Sequence, residues 1–206
     1  MKYDAVIVAA GKGSRARLGF NKILFKMRNG KTVIENVCDT FLKDKDCVKV
    51  ILVTGDGIKS NNKRLTVVNG GEERYHSVMN GLDEVESEYV LIHDGARPFL
   101  NEEALEELKK KVEETGAAVL GRKATDTIKI INNDKIINTV DRDIIFMAET
   151  PQGFRTSIIK ECYNKWDGRK FTDDSSLVES YGYTVSIVND RFDNRKLTDK
   201  EDFENI

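Results

Sequence analysis

Several basic side chains follow two glycines near the start of the chain, a combination suited to holding phosphate groups. Residues 8–22 read VAAGKGSRARLGFNK, so Gly11 and Gly13 come shortly after an apolar run. Glycine lets the backbone approach phosphate oxygens closely, arginine binds phosphate through two parallel hydrogen bonds, and lysine acts as a compact charge. Arg15 and Lys22 are therefore the candidates for neutralising a triphosphate.

The remaining positive charge of this region is typical of a solvated surface. No acidic residue occurs between positions 11 and 34, although the whole chain is balanced, with 33 Lys+Arg against 35 Asp+Glu. Charged side chains are mostly exposed in folded proteins, and we assign Lys12, Arg17 and Lys31 to such a surface. The functional interpretation is thus limited to Arg15 and Lys22.

Two other glycine-rich motifs fit the loop less well. The segment GKGSRA satisfies the dinucleotide-binding pattern G-x-G-x-x-G/A, but that pattern requires a helix that opens at the loop. Gly19 and Asn21 interrupt any such helix, and the acid expected about 20 residues later would be Glu35, in the middle of a predicted helix. The P-loop spacing G-x-x-x-x-G-K-[ST] is absent. The loop therefore favours a nucleotidyltransferase, with a dehydrogenase as a weaker alternative.

The two histidines of the chain are not expected to act as general bases. His93 comes at the end of an apolar strand and is predicted to be structural, while His76 lies in a helix and is partly exposed. A phosphate monoester is already ionised at neutral pH and needs no base to attack. Such a reaction instead needs relief of the repulsion between anions and in-line alignment, which Arg, Lys and Mg²⁺ provide.

Alternating strands and helices are predicted to position these side chains. Apolar runs rich in Val and Ile indicate buried strands, and they occupy residues 5–10, 48–54, 65–70, 89–95 and 184–188. Helical patterns cover residues 32–43, 72–85, 101–115, 156–166 and 174–181; the third begins at an Asn N-cap, with acids in its first turn and lysines later. This alternation predicts the α/β class, with a single nucleotidyltransferase domain over residues 1–206. We expect a three-layer architecture with a mostly parallel, Rossmann-like nucleotide-binding sheet.

A β-hairpin is predicted to protrude from this core as an arm over about residues 125–146. Within it, residues 126–142 contain two β-rich runs joined by Asn-Asn-Asp, a typical hairpin turn. Because an isolated hairpin is unstable, the arm is expected to pack on a second subunit and form a homodimer. The alternative is a hairpin that folds back on its own domain. The two prolines, Pro98 and Pro151, are each expected in a turn.

The composition argues against several classes of protein. The net charge of -2 disfavours a protein that binds nucleic acid or a membrane surface, since such proteins usually carry excess basic charge. Cys38, Cys47 and Cys162 fit neither a disulfide framework nor a zinc site, so they are predicted to be reduced and structural. The first apolar run is too short for a signal peptide or a membrane span, and the expected location is cytoplasmic.

Nine motifs occur in an order that resembles the 2-C-methyl-D-erythritol 4-phosphate cytidylyltransferases of non-mevalonate isoprenoid biosynthesis. They are AAGKGSR (9–15), Lys22, GGEER (70–74) with Ser77, HDGARPF (93–99), DTIK (126–129), TVDR (139–142), TPQGF (150–154), TDDSS (172–176) and DNRKLT (193–198). The resemblance implies an α/β nucleotide-binding domain and a homodimer formed through the arm. It also implies a Mg²⁺-dependent reaction of CTP with 2-C-methyl-D-erythritol 4-phosphate. The products would be 4-diphosphocytidyl-2-C-methyl-D-erythritol and pyrophosphate.

The same resemblance implies roles for residues at the matching positions. The nucleotide-binding residues are Ala9, Ala10, Gly11, Gly13, Gly71, Glu72 and Ser77. The catalytic residues are Arg15 and Lys22, which would stabilise charge on the α-phosphate, Arg142, which would reach from the arm to the substrate of the other subunit, and Lys196. The residues that bind the sugar-alcohol phosphate are Asp94, Arg97, Thr127, Thr150 and Thr172. Asp94 is also the candidate metal ligand, since Mg²⁺ prefers a carboxylate with phosphate oxygens and water.

A few residues depart from the pattern that is usual in this family. Asn21 stands where Pro is frequent and Glu72 where Asp is common. Arg122 and Lys123 replace small or apolar residues and a Pro, which brings the strand entering the arm and the second-substrate pocket into question. Arg195 replaces an apolar residue next to Lys196.

Two other functions remain open from the sequence. Ribitol 5-phosphate cytidylyltransferases share the glycine loop, TPQ and a related HD..RPF motif, although TVDR and TDDSS look closer to the methylerythritol group. A protein that binds the nucleotide without catalysis is the second alternative, and it predicts CTP binding without release of pyrophosphate.

Overall fold

Nine strands build the computed structural model, which describes residues 1–11, 13, 16, 18–55, 57–204 and 206. They are β1 (Tyr3–Val8), β2 (Cys47–Thr54), β3 (Leu65–Asn69), β4 (Tyr89–Asp94), β5 (Ala117–Lys123), β6 (Ile128–Asn132), β7 (Lys135–Val140), β8 (Phe146–Arg155) and β9 (Ser186–Asn189). Seven of them form the central sheet, in the order β3-β2-β1-β4-β8-β5-β9. Among these seven, β8 alone runs antiparallel to its neighbours. The predicted, mostly parallel sheet is confirmed.

Helices cover both faces of this sheet. They are α1 (Val33–Lys43), α2 (Arg74–Asp83), α3 (Glu102–Thr115), α4 (Thr156–Lys165) and α5 (Asp174–Ser180). Alternate residues of a strand point to opposite faces: Ala5 and Ile7 belong to the core under α1 and α3, whereas Val6 belongs to the core under α2, α4 and α5. The predicted three-layer architecture is therefore confirmed.

Side chains at the helix ends explain where two helices begin. Thr32 and Glu35 form a capping box at the start of α1, and Asn101 accepts a hydrogen bond from the Glu103 amide at 2.8 Å. The first turn of α3 contains the predicted acids, but its last turn contains no basic residue, so the lysines lie too early to complement the helix dipole there. Lys109 is instead buried between the acids that precede β2, which makes it part of the packing.

The sequence did not predict β5 and β8, and the position of Pro151 explains part of the difficulty. Pro98 lies in a turn, as expected, but Pro151 lies inside β8, so the prediction of a turn there is wrong. The pairing of β5 with β8 shifts register between Val119 and Gly121, opposite this proline. A proline cannot donate to the ladder and is tolerated in a sheet at such irregularities.

The strands β6 and β7 form a separate two-stranded sheet, the arm. Asn133 and Asp134 make its turn with positive φ angles of 44° and 61°, which the small polar side chains tolerate. Ile131 and Ile136 face each other across the strands and are 65% and 64% exposed. The hairpin therefore does not fold back on its own domain.

Two further observations concern the cysteines and the apolar character of the helices. The three cysteines are buried and free, and burial raises the pKa of the Cys38 and Cys47 thiols to about 12. They are therefore protonated and structural, as predicted. No helix within the described part of the chain has the length and apolar character needed to cross a bilayer.

Candidate active site

A cleft of about 350 Å³ opens where β1 and β4 end, at the carboxyl edge of the parallel strands. Ligands of open α/β sheets usually bind at this edge. The cleft brings together ten of the residues selected from the sequence: Ala9, Ala10, Gly11, Gly13, Lys22, Gly71, Glu72, Ser77, Asp94 and Lys196. Arg15, Lys12 and Arg17 lie outside the described residues.

The glycine loop and a short 3₁₀ turn together place Lys22. Gly13 has φ of 61°, and a Cβ there would lie 3.2 Å from Lys22 Cγ, so the loop needs glycine at this point. Asn21 donates from Nδ2 to the Gly11 carbonyl at 3.1 Å and accepts from the Ile23 amide at 3.3 Å. The asparagine thus caps the turn Lys22–Leu24 and holds it against the loop, as expected for a residue that tolerates turn geometry.

A second glycine segment closes the other side of the cleft. The Gly71 amide donates to Ser77 Oγ at 3.0 Å, and a Cβ on Gly71 would lie 2.3 Å from His76 Cβ. Ser77 is buried and also donates to the Glu73 carbonyl at 3.3 Å. Glu72 projects from the same segment and is exposed. The backbone here is held tightly enough to form one wall of the cleft.

Asp94, at the end of β4, lies among three cationic side chains. Its carboxylate is 2.8 Å from Lys196 Nζ, 3.3 Å from Arg74 Nε and 3.8 Å from Arg97 Nε. Burial alone would raise the pKa of Asp94, but the charges of Arg74, Lys196 and Arg97 outweigh it and hold that pKa well below its usual range. The group is therefore a carboxylate at neutral pH, and it gathers positive charge on one side of the cleft.

Arg74 also lines the cleft, a position that the sequence motifs did not predict. Its guanidinium bridges Asp94 and Asp174, with NH2 2.8 Å from Asp174 Oδ2. Asp174 is fully buried and also accepts from the Tyr163 hydroxyl at 2.7 Å. Arg74 thus connects α2, β4 and α5. The available signal was the arginine of GGEER, followed much later by the acids of TDDSS.

His93 and Thr150 support the Asp94 backbone from behind. Thr150 Oγ accepts from the Asp94 amide at 3.0 Å and donates to His93 Nδ1 at 3.1 Å, while His93 Nε2 donates to the Arg97 carbonyl at 3.0 Å. Burial lowers the pKa of His93 to about 4, so the ring is neutral. Both residues are buried, and the contacts of His93 are those of a structural histidine.

Three predicted site residues, the catalytic Arg142 and the substrate-binding Thr127 and Thr172, lie on the surface away from the cleft. Thr127 and Arg142 are exposed at the base of the arm, where Arg142 donates to the Thr125 carbonyl at 2.7 Å. Thr172 is exposed beside a second cavity of about 320 Å³, next to Phe171. A single chain therefore does not gather the whole predicted site.

The residues of the cleft fit a divalent metal that arrives with a triphosphate. Mg²⁺ usually binds through one or two carboxylates together with substrate phosphate oxygens. Asp94 offers a carboxylate in the cleft, and Glu72 and Glu73 offer two more at its wall. The donor set is made of hard oxygen ligands, which is what Mg²⁺ requires.

A second acidic group is better explained by an ion pair than by a metal. Ligand atoms of Asp44, Asp46 and Glu106 lie within 4.8 Å of one another. Lys109 Nζ is placed among them, 2.9 Å from Asp44 and 3.0 Å from Asp46. Since Asp44 and Asp46 precede β2, this group lies at the edge of the sheet opposite the cleft.

The fold and the cleft define an α/β nucleotide-binding protein of the nucleotidyltransferase class. A family model described as IspD, 2-C-methyl-D-erythritol 4-phosphate cytidylyltransferase, matches residues 3–205. The chain belongs to this family, which confirms the resemblance seen in its motifs.

Individual relatives agree with the family match. The chain is 38% identical to proteins of that name from Geobacillus kaustophilus and Bacillus velezensis, over 98% of this chain and 94% and 93% of theirs. Among solved structures, the cytidylyltransferase of Francisella tularensis superposes with a TM-score of 0.84 at 28% identity, covering 99% of this chain and 97% of that one. The 4-diphosphocytidyl-2C-methyl-D-erythritol synthase of Anaerococcus prevotii gives 0.84 at 30% identity, covering 98% and 92%.

Proposed function

We propose that this chain transfers a cytidylyl group from CTP to 2-C-methyl-D-erythritol 4-phosphate. The observation that carries the proposal is the cleft itself, in which the glycine loop, Lys22, Asp94 and Lys196 come together in a member of this family. The products are 4-diphosphocytidyl-2-C-methyl-D-erythritol and pyrophosphate. The whole reaction is assigned to a single domain over residues 1–206, with the arm at about 125–146.

The two walls of the cleft suit the two ends of CTP. The backbone of Ala9, Ala10, Gly11 and Gly13 lies beside the positive charge of Lys22, which supports a triphosphate there. The opposite wall of Gly71, Glu72 and Ser77 offers backbone and side-chain polar groups for the cytosine and the ribose. Arg15 follows the glycines in sequence and is assigned to the triphosphate with Lys22.

The chemistry requires charge stabilisation rather than proton transfer. An oxygen of the methylerythritol phosphate attacks the α-phosphorus of CTP, and the bond from that phosphorus to the β-bridging oxygen breaks. Pyrophosphate leaves with the electron pair. Lys22 and Arg15 stabilise the charge on the α-phosphate, while Lys196 and Arg97 hold the attacking phosphate near Asp94.

Mg²⁺ is the proposed cofactor, and Asp94 is the carboxylate of the chain that would hold it. Bound to the phosphates, the ion would neutralise charge on the triphosphate and on the leaving pyrophosphate. The contribution of the chain is to present Asp94 in ionised form, which the surrounding cations ensure.

We also propose that two copies of the chain form a homodimer through the arm. The exposed isoleucines of β6 and β7 support this, because apolar side chains on an isolated hairpin are stabilised by burial on a partner. Arg142 would then reach the second-substrate site of the other subunit, a site that Thr127, Thr150 and Thr172 help to form. No nucleic acid or membrane is needed as a partner, and the three free cysteines support a cytoplasmic location.

A substrate panel tests the proposed reaction against its alternatives. The purified protein is incubated with CTP, Mg²⁺ and either methylerythritol phosphate or ribitol 5-phosphate, and release of pyrophosphate is measured. We expect faster turnover with methylerythritol phosphate. Faster turnover with ribitol 5-phosphate would assign the chain to the other alditol phosphate, and CTP binding without pyrophosphate would identify a non-catalytic nucleotide-binding protein.

A further inference from the structure

A buried polar cluster adjoins Asp94 of the cleft through Thr150, which contacts both Asp94 and Asn194. Within the described residues, three buried side-chain atoms make no hydrogen bond, and they are Arg97 Nε, Asp190 Oδ2 and Asn194 Oδ1. All three belong to one group of neighbouring residues. Such a concentration of polar groups is costly in a core unless it holds something in place.

Glu149 is the acid at the centre of this cluster. It is 6% exposed, and its Oε2 accepts from Asn194 Nδ2 at 3.2 Å. Its Oε1 lies 3.4 Å from Arg122 Nε on the neighbouring strand β5. Arg122 is one of the residues that depart from the usual family pattern, and the structure gives it a specific partner.

Asn194 connects this acid to the loop 193–198, which carries Lys196. The side-chain Nδ2 of Asn194 also donates to the Thr150 carbonyl at 2.8 Å. The backbone carbonyl of Asn194 accepts from Arg97 Nη1 at 2.7 Å. Further along the loop, Lys196 Nζ meets Asp94 at 2.8 Å. Displacement of Asn194 would therefore shift both Arg97 and Lys196.

The same loop also contacts the glycine-loop side of the cleft. The Leu197 amide donates to the Ala96 carbonyl at 2.8 Å, and the Leu197 carbonyl accepts from Lys22 Nζ at 2.6 Å. The loop 193–198 thus lies between the two groups of cations that the reaction needs. Its position decides how far apart they are.

We infer that Glu149, held by Arg122, is a positioning residue that fixes the loop 193–198 through Asn194. This inference rests on the proposed function of Lys196 and Arg97 in binding the sugar-alcohol phosphate. Arg122 therefore acts at a distance from the substrate, and it compensates the charge of Glu149 instead of lining the pocket.

The surroundings of Glu149 make its effect depend on pH. The charged groups that face it are Arg97 from the segment after β4, Arg122 from β5 and Asp190 after β9, with the neutral Asn194 beside them. Burial raises the pKa of Glu149 above its usual value, although Arg97 and Arg122 act in the opposite direction. As the pH falls, Glu149 takes up a proton, loses its attraction for Arg122 and holds Asn194 less well.

Steady-state kinetics of two variants and one control test the positioning role. Glu149→Leu removes the hydrogen-bond acceptor while keeping a side chain of similar volume. We expect the KM for methylerythritol phosphate to rise about tenfold, because one hydrogen bond to a charged group is lost. Glu149→Gln keeps an acceptor and should lose only about threefold. The affinity for CTP alone should change much less in both, because Asn21 holds the Lys22 turn against the glycine loop independently of Leu197. Glu88→Gln is the matched control, because it breaks the exposed Glu88–Arg155 pair at the far end of β8.

The pH dependence gives a second signature. The KM of the unmodified protein should rise more steeply at low pH than that of Glu149→Gln, since the titration of the substrate itself is common to both. Equal pH profiles, equal losses for CTP and methylerythritol phosphate, or the same loss in Glu88→Gln would each overturn the inference.

Hydrogen exchange separates this inference from the proposed function. In Glu149→Leu, the amides of residues 193–198 should exchange at least about tenfold faster than in Glu88→Gln, at an unchanged thermal midpoint. If the unmodified protein forms no product, the proposed reaction fails, while the exchange rates still decide the positioning role. Unchanged exchange in the loop contradicts that role.

Discussion

Lys22 and Asp94 show how one lysine and one acid can organise the charged side chains of the cleft. Lys22 reaches across to the loop 193–198, and Asp94 gathers Lys196, Arg74 and Arg97 around itself. Without a substrate, these cations are balanced by Asp94 and by backbone carbonyls. We therefore expect phosphate groups to replace some of these contacts when the substrates bind.

Replacement of Lys22 by alanine should mainly lower turnover. In the proposed reaction Lys22 stabilises charge that develops on the α-phosphate, so by analogy with a lost oxyanion-hole donor we expect a decrease in kcat of about 10²–10³-fold. Rate measurements at saturating concentrations of both substrates give this value directly. An unchanged kcat would remove Lys22 from the catalytic role.

Replacement of Arg74 by methionine should affect both stability and pH dependence. It leaves the buried Asp174 without its cation, which should cost on the order of 3 kcal/mol in free energy of unfolding. It should also raise the pKa of Asp94 toward its usual value. Because the low pKa of Asp94 contributes stability that is lost as the pH falls through that pKa, the variant should lose this contribution at a higher pH.

Arg155→Met is the matched control for the Arg74 variant. Arg155 pairs with Glu88 in an exposed position, so its loss should cost less than about 1 kcal/mol. Chemical denaturation at several pH values gives the free energy of unfolding of both variants, and these values are compared. Similar losses in the two proteins would show that the connection through Asp174 has no special importance.

At the scale of elements, the sequence predicted the strands and helices that have regular apolar patterns, and it missed two strands with irregular sequences. Apolar runs located β1 to β4, and the periodicity and caps located the helices. The strands β5 and β8 were missed because β5 ends in the charged Arg122 and Lys123, and β8 contains Thr150, Pro151 and Gly153. The segment Thr150–Gly153 resembles a turn in sequence. It fits within β8 because the pairing with β5 shifts register opposite Pro151.

The sequence likewise predicted one part of the candidate site and missed another. Motif order identified most of the cleft, because glycines and phosphate-binding cations have few substitutes. Arg74 and Glu149 were not found, since their importance depends on buried partners, Asp174 and Asn194, that are distant in sequence. Neither residue type nor spacing reveals such a pairing.

The arm is predicted to share the active site between two subunits. Mixed dimers of Lys22→Ala with Arg142→Ala contain one site with both residues intact. A random mixture should therefore recover about a quarter of the unmodified activity, since half of its dimers are mixed. The recombined mixture is assayed before separation of the species, and the isolated mixed dimers, with one of two sites intact, should show about half of the unmodified activity. Mixed dimers without activity would contradict the contribution of Arg142 across the interface.

At the scale of the whole molecule, the proposed dimer would depend on apolar contacts of the arm. Ile131 and Ile136 share one face, and each buried isoleucine contributes about 1.5–3 kcal/mol. The double replacement of both by glutamate should weaken dimerisation at least about 100-fold, measured by sedimentation equilibrium. Lys135→Glu changes the net charge equally and serves as the control. Equal weakening by both would attribute the effect to charge.

The central claim is that a phosphate oxygen of the second substrate attacks the α-phosphorus of CTP. Methylerythritol phosphate labelled with ¹⁸O in its phosphate group, incubated with CTP, Mg²⁺ and the protein, tests this most directly by mass spectrometry and ³¹P NMR. The account predicts that all the label is in the cytidine diphosphate product and that the pyrophosphate is unlabelled. Label in pyrophosphate or in free phosphate, or no labelled nucleotide at all, would contradict it.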